Sequence, residues 1–158
     1  ESMLDQALDG FTHKVADILG AERASLFLLD RERDELWSKA ALDADGRSFT
    51  IRIPRDRGIV GSVVSSGQTV HVADAYTDSR FDPSTDQETG FHTRNIFCIP
   101  LMDQSGEVFG AAQLLNKRGG AEFQRSDEDR FNELMQSMGV ILSSWAAMVA
   151  RRDPAPPE

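Results

Sequence analysis

Within residues 2–19, apolar side chains recur at Leu4, Leu8, Phe11, Val15 and Ile18, in steps of four, three, four and three. That spacing predicts an amphipathic helix, and Gly20 just after it reads as a C-terminal cap. Shorter runs of a different rhythm follow: ASLFLL at 24–29, ELWSKA at 35–40 and SFTIRI at 48–53, separated by the polar turns DRERD and DADGR. In the third run, Phe49, Ile51 and Ile53 alternate with Ser48, Thr50 and Arg52, which predicts a half-buried antiparallel strand closed by Pro54. Residues 58–66, GIVGSVVSS, read as a short helix ending at Gly67, and a brief strand at 70–72 leads into a polar stretch from Asp74 to Arg94.

Two further strand-like runs, NIFCIPL at 95–101 and EVFGAAQLLN at 107–116, flank the turn MDQSG. The spacing then predicts one last helix, opening at Ser126 and running to about Arg151, with Phe131, Leu134, Met138, Ile141, Trp145 and Met148 on one stripe. The tail at 153–158, DPAPPE, is proline-rich and acidic and reads as a linker. Hairpins bracketed by helices predict an α+β fold with helices segregated to one side of an antiparallel sheet. A doubly wound parallel sheet is excluded because helices do not alternate with strands.

A length of 158 residues suits one domain with a core of its own. With 17 Lys+Arg against 26 Asp+Glu, the net charge of −9 argues against nucleic acid and against anionic membrane surfaces as partners. The lone cysteine, Cys98, sits in the apolar run IFCIPL and reads as a small buried hydrophobe; it leaves no disulfide framework and no thiolate-rich zinc site. No apolar run reaches the ~20 residues of a membrane span, and the N-terminus lacks the features of a signal peptide, so a cytoplasmic location is expected. His13, His71 and His92 form no recognisable ligand pair, and no metal site is expected. The DADG at 43–46 lacks the rest of a calcium loop and reads as a hairpin turn. Asp74, Asp78, Asp82 and Asp86 recur every four residues, but Pro83 interrupts any helix that would align them.

Anion chemistry is better supported. PRDRGIVGSVV places Gly58 and Gly61 at a helix start, where unpaired N–H groups and a partial positive charge gather. STDQETGFHTRN supplies Ser84, Thr85, Thr89, Thr93 and Asn95 beside a core strand. Further on, Asn116 and Lys117 end a strand, and Phe123, Asp127 and Glu128 follow across a helix start, where the two acidic groups favour the helix dipole and Lys117 can pair with Asp127.

N-K, then F, then three residues, then D-E resembles the NKFDE signature of cyclic-nucleotide-binding GAF domains. AERASLFLLD, IRIPRDRGIVG, DAYTDSRFD and TGFHTRNIFCIPL resemble the same family, so the likeness covers about residues 10–150. It implies a domain over 1–152 built as a six-stranded antiparallel sheet, with the terminal helices on one face and a ligand pocket on the other. It further implies a regulatory, non-catalytic module that binds cAMP or cGMP and needs no cofactor. Ser25 matches a purine contact, and the backbone of Ile59 and Val60 matches the groups that meet the cyclic phosphate. Asp86, Thr89 and Thr93 match a lid segment. Lys117 and Asp127 match a pair that pins the strand end to the last helix without touching ligand. The chain departs from a close relative in two places: Ala41 or Leu42 stands where an aromatic ring stacks on the purine, and Gln113 stands where an acidic group meets the base.

Other readings remain open at this point. One is a ligand-free module dimerising through the terminal helices, because Met135, Val140, Leu142 and Val149 widen the apolar surface of the last helix. Another is a thiol-dependent enzyme or pigment carrier, which a single strand-embedded Cys98 disfavours. A homodimer through the terminal helices is expected in either non-catalytic case.

Overall fold

The computed structural model describes residues 3–42 and 48–152. The chain runs α1 (Met3–Leu19), β1 (Ala21–Asp30), β2 (Glu35–Leu42), β3 (Ser48–Pro54), α2 (Gly58–Ser66) and β4 (Val70–Val72). A 3₁₀ turn at Ala75–Thr77, α3 (Ser84–Thr89), β5 (Ile96–Met102), β6 (Val108–Lys117) and a second 3₁₀ turn follow, then α4 (Arg125–Ser137) and α5 (Gly139–Arg152). The six strands form one sheet in the order β3-β2-β1-β6-β5-β4, with every neighbouring pair antiparallel. The polar stretch after β4 thus holds a helix of its own, α3, which starts only after Pro83. The expected hairpin turn at 43–46 and the tail at 153–158 lie outside the described residues.

Strand alternation sorts the core into two layers. Ala24, Leu26 and Leu28 of β1, with Phe97, Ile99, Ala112 and Leu114, pack against Val15, Leu19, Phe131, Met135 and Leu142 of the terminal helices. The intervening residues Phe27 and Leu29, with Ile51, Ile96, Cys98, Ala111 and Leu115, pack against Ile59, Val60, Val63 and Val64 of α2. Gly110 permits the central pairing: a Cβ there would collide with the Phe27 carbonyl oxygen on the neighbouring strand.

Three helix expectations are corrected. The last helix opens at the N-cap Gln124, not Ser126, because the Asp127 carboxylate accepts the Gln124 N–H at 2.8 Å and fixes the first turn there. It is also two helices: Met138, at φ −100° and ψ 5°, donates its N–H to Met135 O at 3.2 Å, and the helix resumes at Gly139. Finally, the stripes read from sequence are out of phase with the packed faces. Met135 and Leu142 are core residues, whereas Ile18, Ile141 and Met148 are 43%, 45% and 40% exposed. Phe11, Leu134, Met138 and Trp145 are half-buried against the same core.

Candidate ligand pocket

The face of the sheet under α2 carries a cavity of about 90 Å³. Its floor is built by alternation: Arg23, Ser25 and Phe27 of β1 share this face, and β6 contributes Gln113 and Leu115. Ser25 pairs directly with Gln113 in the β1–β6 ladder, and Gln113 pairs with Cys98 on its other side. Ser25 is 4% exposed, yet neither its hydroxyl nor the Gln113 amide hydrogen-bonds to another described residue. Ser25 is buried and Gln113 half-buried, and both line the cavity.

One wall is the start of α2. Arg57 is its N-cap in extended conformation with no side-chain cap, which leaves the first-turn N–H groups of Ile59 and Val60 without a side-chain acceptor. Gly58 has φ +74°, a region that favours glycine, and a Cβ on Gly61 would strike the Asp56 backbone. Both glycines therefore let the loop fold tightly over the helix start.

The opposite wall is α3 and the strand entry after it. The Asp86 carboxylate is gripped from three directions: Tyr76 Oη donates at 2.7 Å and the Thr93 N–H at 2.8 Å to Oδ2, and Thr93 Oγ1 donates at 2.7 Å to Oδ1. This bond to the carboxylate raises the Tyr76 phenol pKa above its ordinary value. Tyr76 stacks on His92 at 5.1 Å and meets Phe81 edge-on at 5.0 Å. Asp82 faces Arg57 at 3.8 Å, and hydrogen bonds from the Ser84 hydroxyl and N–H, aided by the Arg57 charge, hold its pKa below the usual carboxylate value despite burial. The Arg23 guanidinium lies 4.0 Å above the Phe91 ring.

Of the residues singled out by sequence, Ser25, Ile59, Val60, Asp86, Thr93 and Gln113 all line this cavity. Thr89 does not; its hydroxyl donates to the Thr85 carbonyl at 2.9 Å and accepts the Phe91 N–H at 3.2 Å, within α3 and the turn that follows it. Arg23, Arg57, Asp82 and Phe91 were missed. Arg23 was recoverable, since it lies two residues before Ser25 on a strand. Tyr76 gave no signal, because the 3₁₀ turn that returns it to Asp86 has no sequence rhythm. The side chains of Ala41 and Leu42 lie outside the described residues.

The signature residues sit away from the cavity. Asn116, with φ +59° and 1% exposure, accepts the Arg94 N–H at 2.6 Å and donates to the His92 carbonyl at 2.9 Å. Asn95 reciprocates by accepting the Lys117 N–H at 3.0 Å. Lys117 Nζ lies 2.8 Å from Asp127 Oδ1, and Phe123 packs on Phe97 at 6.4 Å. The Glu128 side chain makes no ion pair or hydrogen bond with another described residue. Cys98 is fully buried, which pushes its thiol pKa well up. No helix among the described residues is long and apolar enough to cross a membrane.

The fold and cavity define a class of α+β domains with a six-stranded antiparallel sheet and a pocket beneath a short helix. The chain belongs to the GAF family, whose model, "GAF domain", matches residues 3–142, and it is a regulatory domain of that family. It is 32% identical over 142 residues to dual 3′,5′-cyclic-AMP and -GMP phosphodiesterase 11 of Drosophila melanogaster, an overlap of 81% of this chain and 10% of that protein. The chain thus spans about a tenth of the length of that curated relative. Among solved structures, it resembles the GAF domain of a phosphoenolpyruvate-protein phosphotransferase from Coxiella burnetii, with TM-score 0.76, 22% identity, and coverage of 93% of this chain and 86% of that one. It also resembles free methionine-R-sulfoxide reductase from Neisseria meningitidis in complex with its substrate, with TM-score 0.67, 19% identity, and coverage of 98% and 83%. These two likenesses are of fold.

Proposed function

We propose that this domain binds a cyclic nucleotide, cAMP or cGMP, and passes the event to an attached output domain within a longer cytoplasmic signalling protein. The observation that carries the reading is the Ser25–Gln113 pair, a buried hydroxyl and a half-buried amide side by side on the cavity floor with no hydrogen bond to another described residue. A purine edge offers both donors and acceptors, and a hydroxyl beside an amide can answer either. The first turn of α2, which lines the same cavity and has no side-chain cap, suits the cyclic phosphate through Ile59 and Val60. The similarity to a dual cyclic-nucleotide phosphodiesterase supports the same ligand class.

A cavity of about 90 Å³ is small against the ~300–1,000 Å³ typical of ligand pockets. Entry therefore requires α3 to swing outward, which breaks the grip of Tyr76 and Thr93 on Asp86. In this reading Asp86, Thr89 and Thr93 form the lid, with Thr89 bracing it from within. The domain acts by binding, not catalysis, in keeping with a sole cysteine whose buried thiol resists ionisation. Exposed Ile18, Val140, Ile141 and Met148 on the terminal helices favour a homodimer through that face.

Calorimetric titration with cAMP and with cGMP tests the reading. Nucleotide at ~100-fold over its dissociation constant adds ~2.7 kcal/mol of stability. For a domain of this size that raises the melting temperature by roughly 5–10 °C. No binding heat and no shift at millimolar concentration of either nucleotide overturns it.

A further inference from the structure

Among the described residues, the charges lining the cavity are two guanidinium groups, Arg23 and Arg57, and two carboxylates, Asp82 and Asp86. Three hydrogen bonds from Tyr76 and Thr93 commit Asp86 to the lid, and Arg23 lies over Phe91. Asp82 and Arg57 are left facing one another at the start of α2, with Asp82 Oδ2 3.8 Å from Arg57 Nε. Asp82 Cβ lies at ordinary contact distance, 3.7 Å, from where a Cβ on Gly58 would sit, and glycine is favoured there by its φ of +74°. The carboxylate is further fixed by Ser84, whose N–H and hydroxyl donate to Oδ1 at 3.0 and 2.6 Å.

An anion arriving at α2 thus meets a helix end worth about +0.5 charge, one guanidinium and one fixed carboxylate. The sum is about half a positive charge. That balance offsets about half of one negative charge and leaves a second wholly without a counter-charge.

We propose that Asp82 makes this cavity selective for singly charged phosphodiesters over doubly charged phosphomonoesters. The inference rests on the cyclic-nucleotide reading and goes beyond it by naming the residue that rejects the hydrolysed product. A phosphomonoester carries close to two negative charges at neutral pH, its second pKa being about 6. Because Asp82 already offsets Arg57, the extra charge gives up its hydration with no cation of its own to replace it, which weakens binding more than roughly tenfold.

The test measures dissociation constants of cAMP, cGMP, 5′-AMP and 5′-GMP for the wild type, Asp82→Asn and Asp82→Ser at neutral pH. Both substitutions keep a side-chain oxygen able to accept the Ser84 N–H. The wild type is expected to bind the better cyclic nucleotide at least roughly tenfold tighter than its 5′-monophosphate. Both variants are expected to narrow that ratio by fivefold or more, chiefly by gaining affinity for the monophosphate. A wild type that binds both phosphate forms equally, or a ratio that narrows less than fivefold in the variants, overturns the role of Asp82 while cyclic-nucleotide binding stands. A wild type that binds none of the four overturns both.

Discussion

The Lys117 ammonium lies 2.8 Å from Asp127 Oδ1 and 2.9 Å from the Leu19 carbonyl oxygen, so one cation joins the end of α1, the end of β6 and the first turn of α4. Asp127 in turn accepts the Gln124 N–H that defines the α4 N-cap. The signature thus works as a three-way junction on the helical side of the sheet.

Lys117→Ala leaves a buried carboxylate and a helix-end carbonyl short of a donor. Part of the loss is recovered by water, since the lysine side chain is 22% exposed. The expected cost is about 2 kcal/mol. In a domain of this size that corresponds to a fall of about 4–8 °C in melting temperature. Thermal denaturation of the ligand-free protein measures it, and a change under 1 °C, by an order-of-magnitude reading of the same relation, contradicts the junction.

Asp127 also gives the protein an acid limit. Burial opposes ionisation, but hydrogen bonds from Gln124 N–H and Lys117, with the Lys117 charge, outweigh it and lower the pKa below the ordinary value. A depressed carboxylate contributes stability that is present above its unfolded value of about 3.9 and lost as pH falls through the lower folded value. Asp127→Asn is expected to flatten the wild-type stability curve in that acid range. Denaturant titrations across the range measure the difference; parallel curves refute it.

Thr93 ties α3 to the strand entry that follows it. Its hydroxyl and N–H both donate to Asp86, and the residue is 2% exposed. Thr93→Val removes the hydroxyl bond and is expected to cost about 1–2 kcal/mol without ligand. Ser25→Ala, in contrast, breaks no side-chain hydrogen bond. It should leave the ligand-free melting temperature in place and weaken nucleotide binding by about five- to tenfold, the worth of one hydrogen bond. Melting curves paired with calorimetry separate the two, and a destabilised Ser25→Ala counts against the pocket.

Val140, Ile141 and Met148 are 63%, 45% and 40% exposed on α5. If that face joins two copies, Ile141→Glu with Met148→Glu should convert a dimer to a monomer while the melting temperature at low concentration changes little. Sedimentation equilibrium decides it: a wild type holding near 17.5 kDa at high micromolar concentration ends the dimer proposal.

The sheet was legible because alternation such as that of Phe49, Ile51 and Ile53 can be satisfied only by a strand with one buried face. The Lys117–Asp127 junction was legible from charge and spacing. The helix faces were missed by one residue because a stripe counted at 3.5 residues per turn drifts against a straight helix at 3.6. Over the length of the terminal helices that drift exchanges Leu142 for Ile141 and Leu19 for Ile18. The cavity was half legible: strand geometry carries Ser25 and Gln113 into it, whereas the Tyr76–Asp86 contact needs a turn that no periodicity announces.

β1 has one more property. Arg23, Ser25 and Phe27 point to the cavity, and Ala24, Leu26 and Leu28, interleaved with them, point to the terminal helices. The two compartments are therefore a single peptide plane apart. In the proposed reading, a guest that displaces Ser25 reaches Ala24 and Leu26 through the adjoining peptide bonds, and through them the packing of the terminal helices on the opposite side.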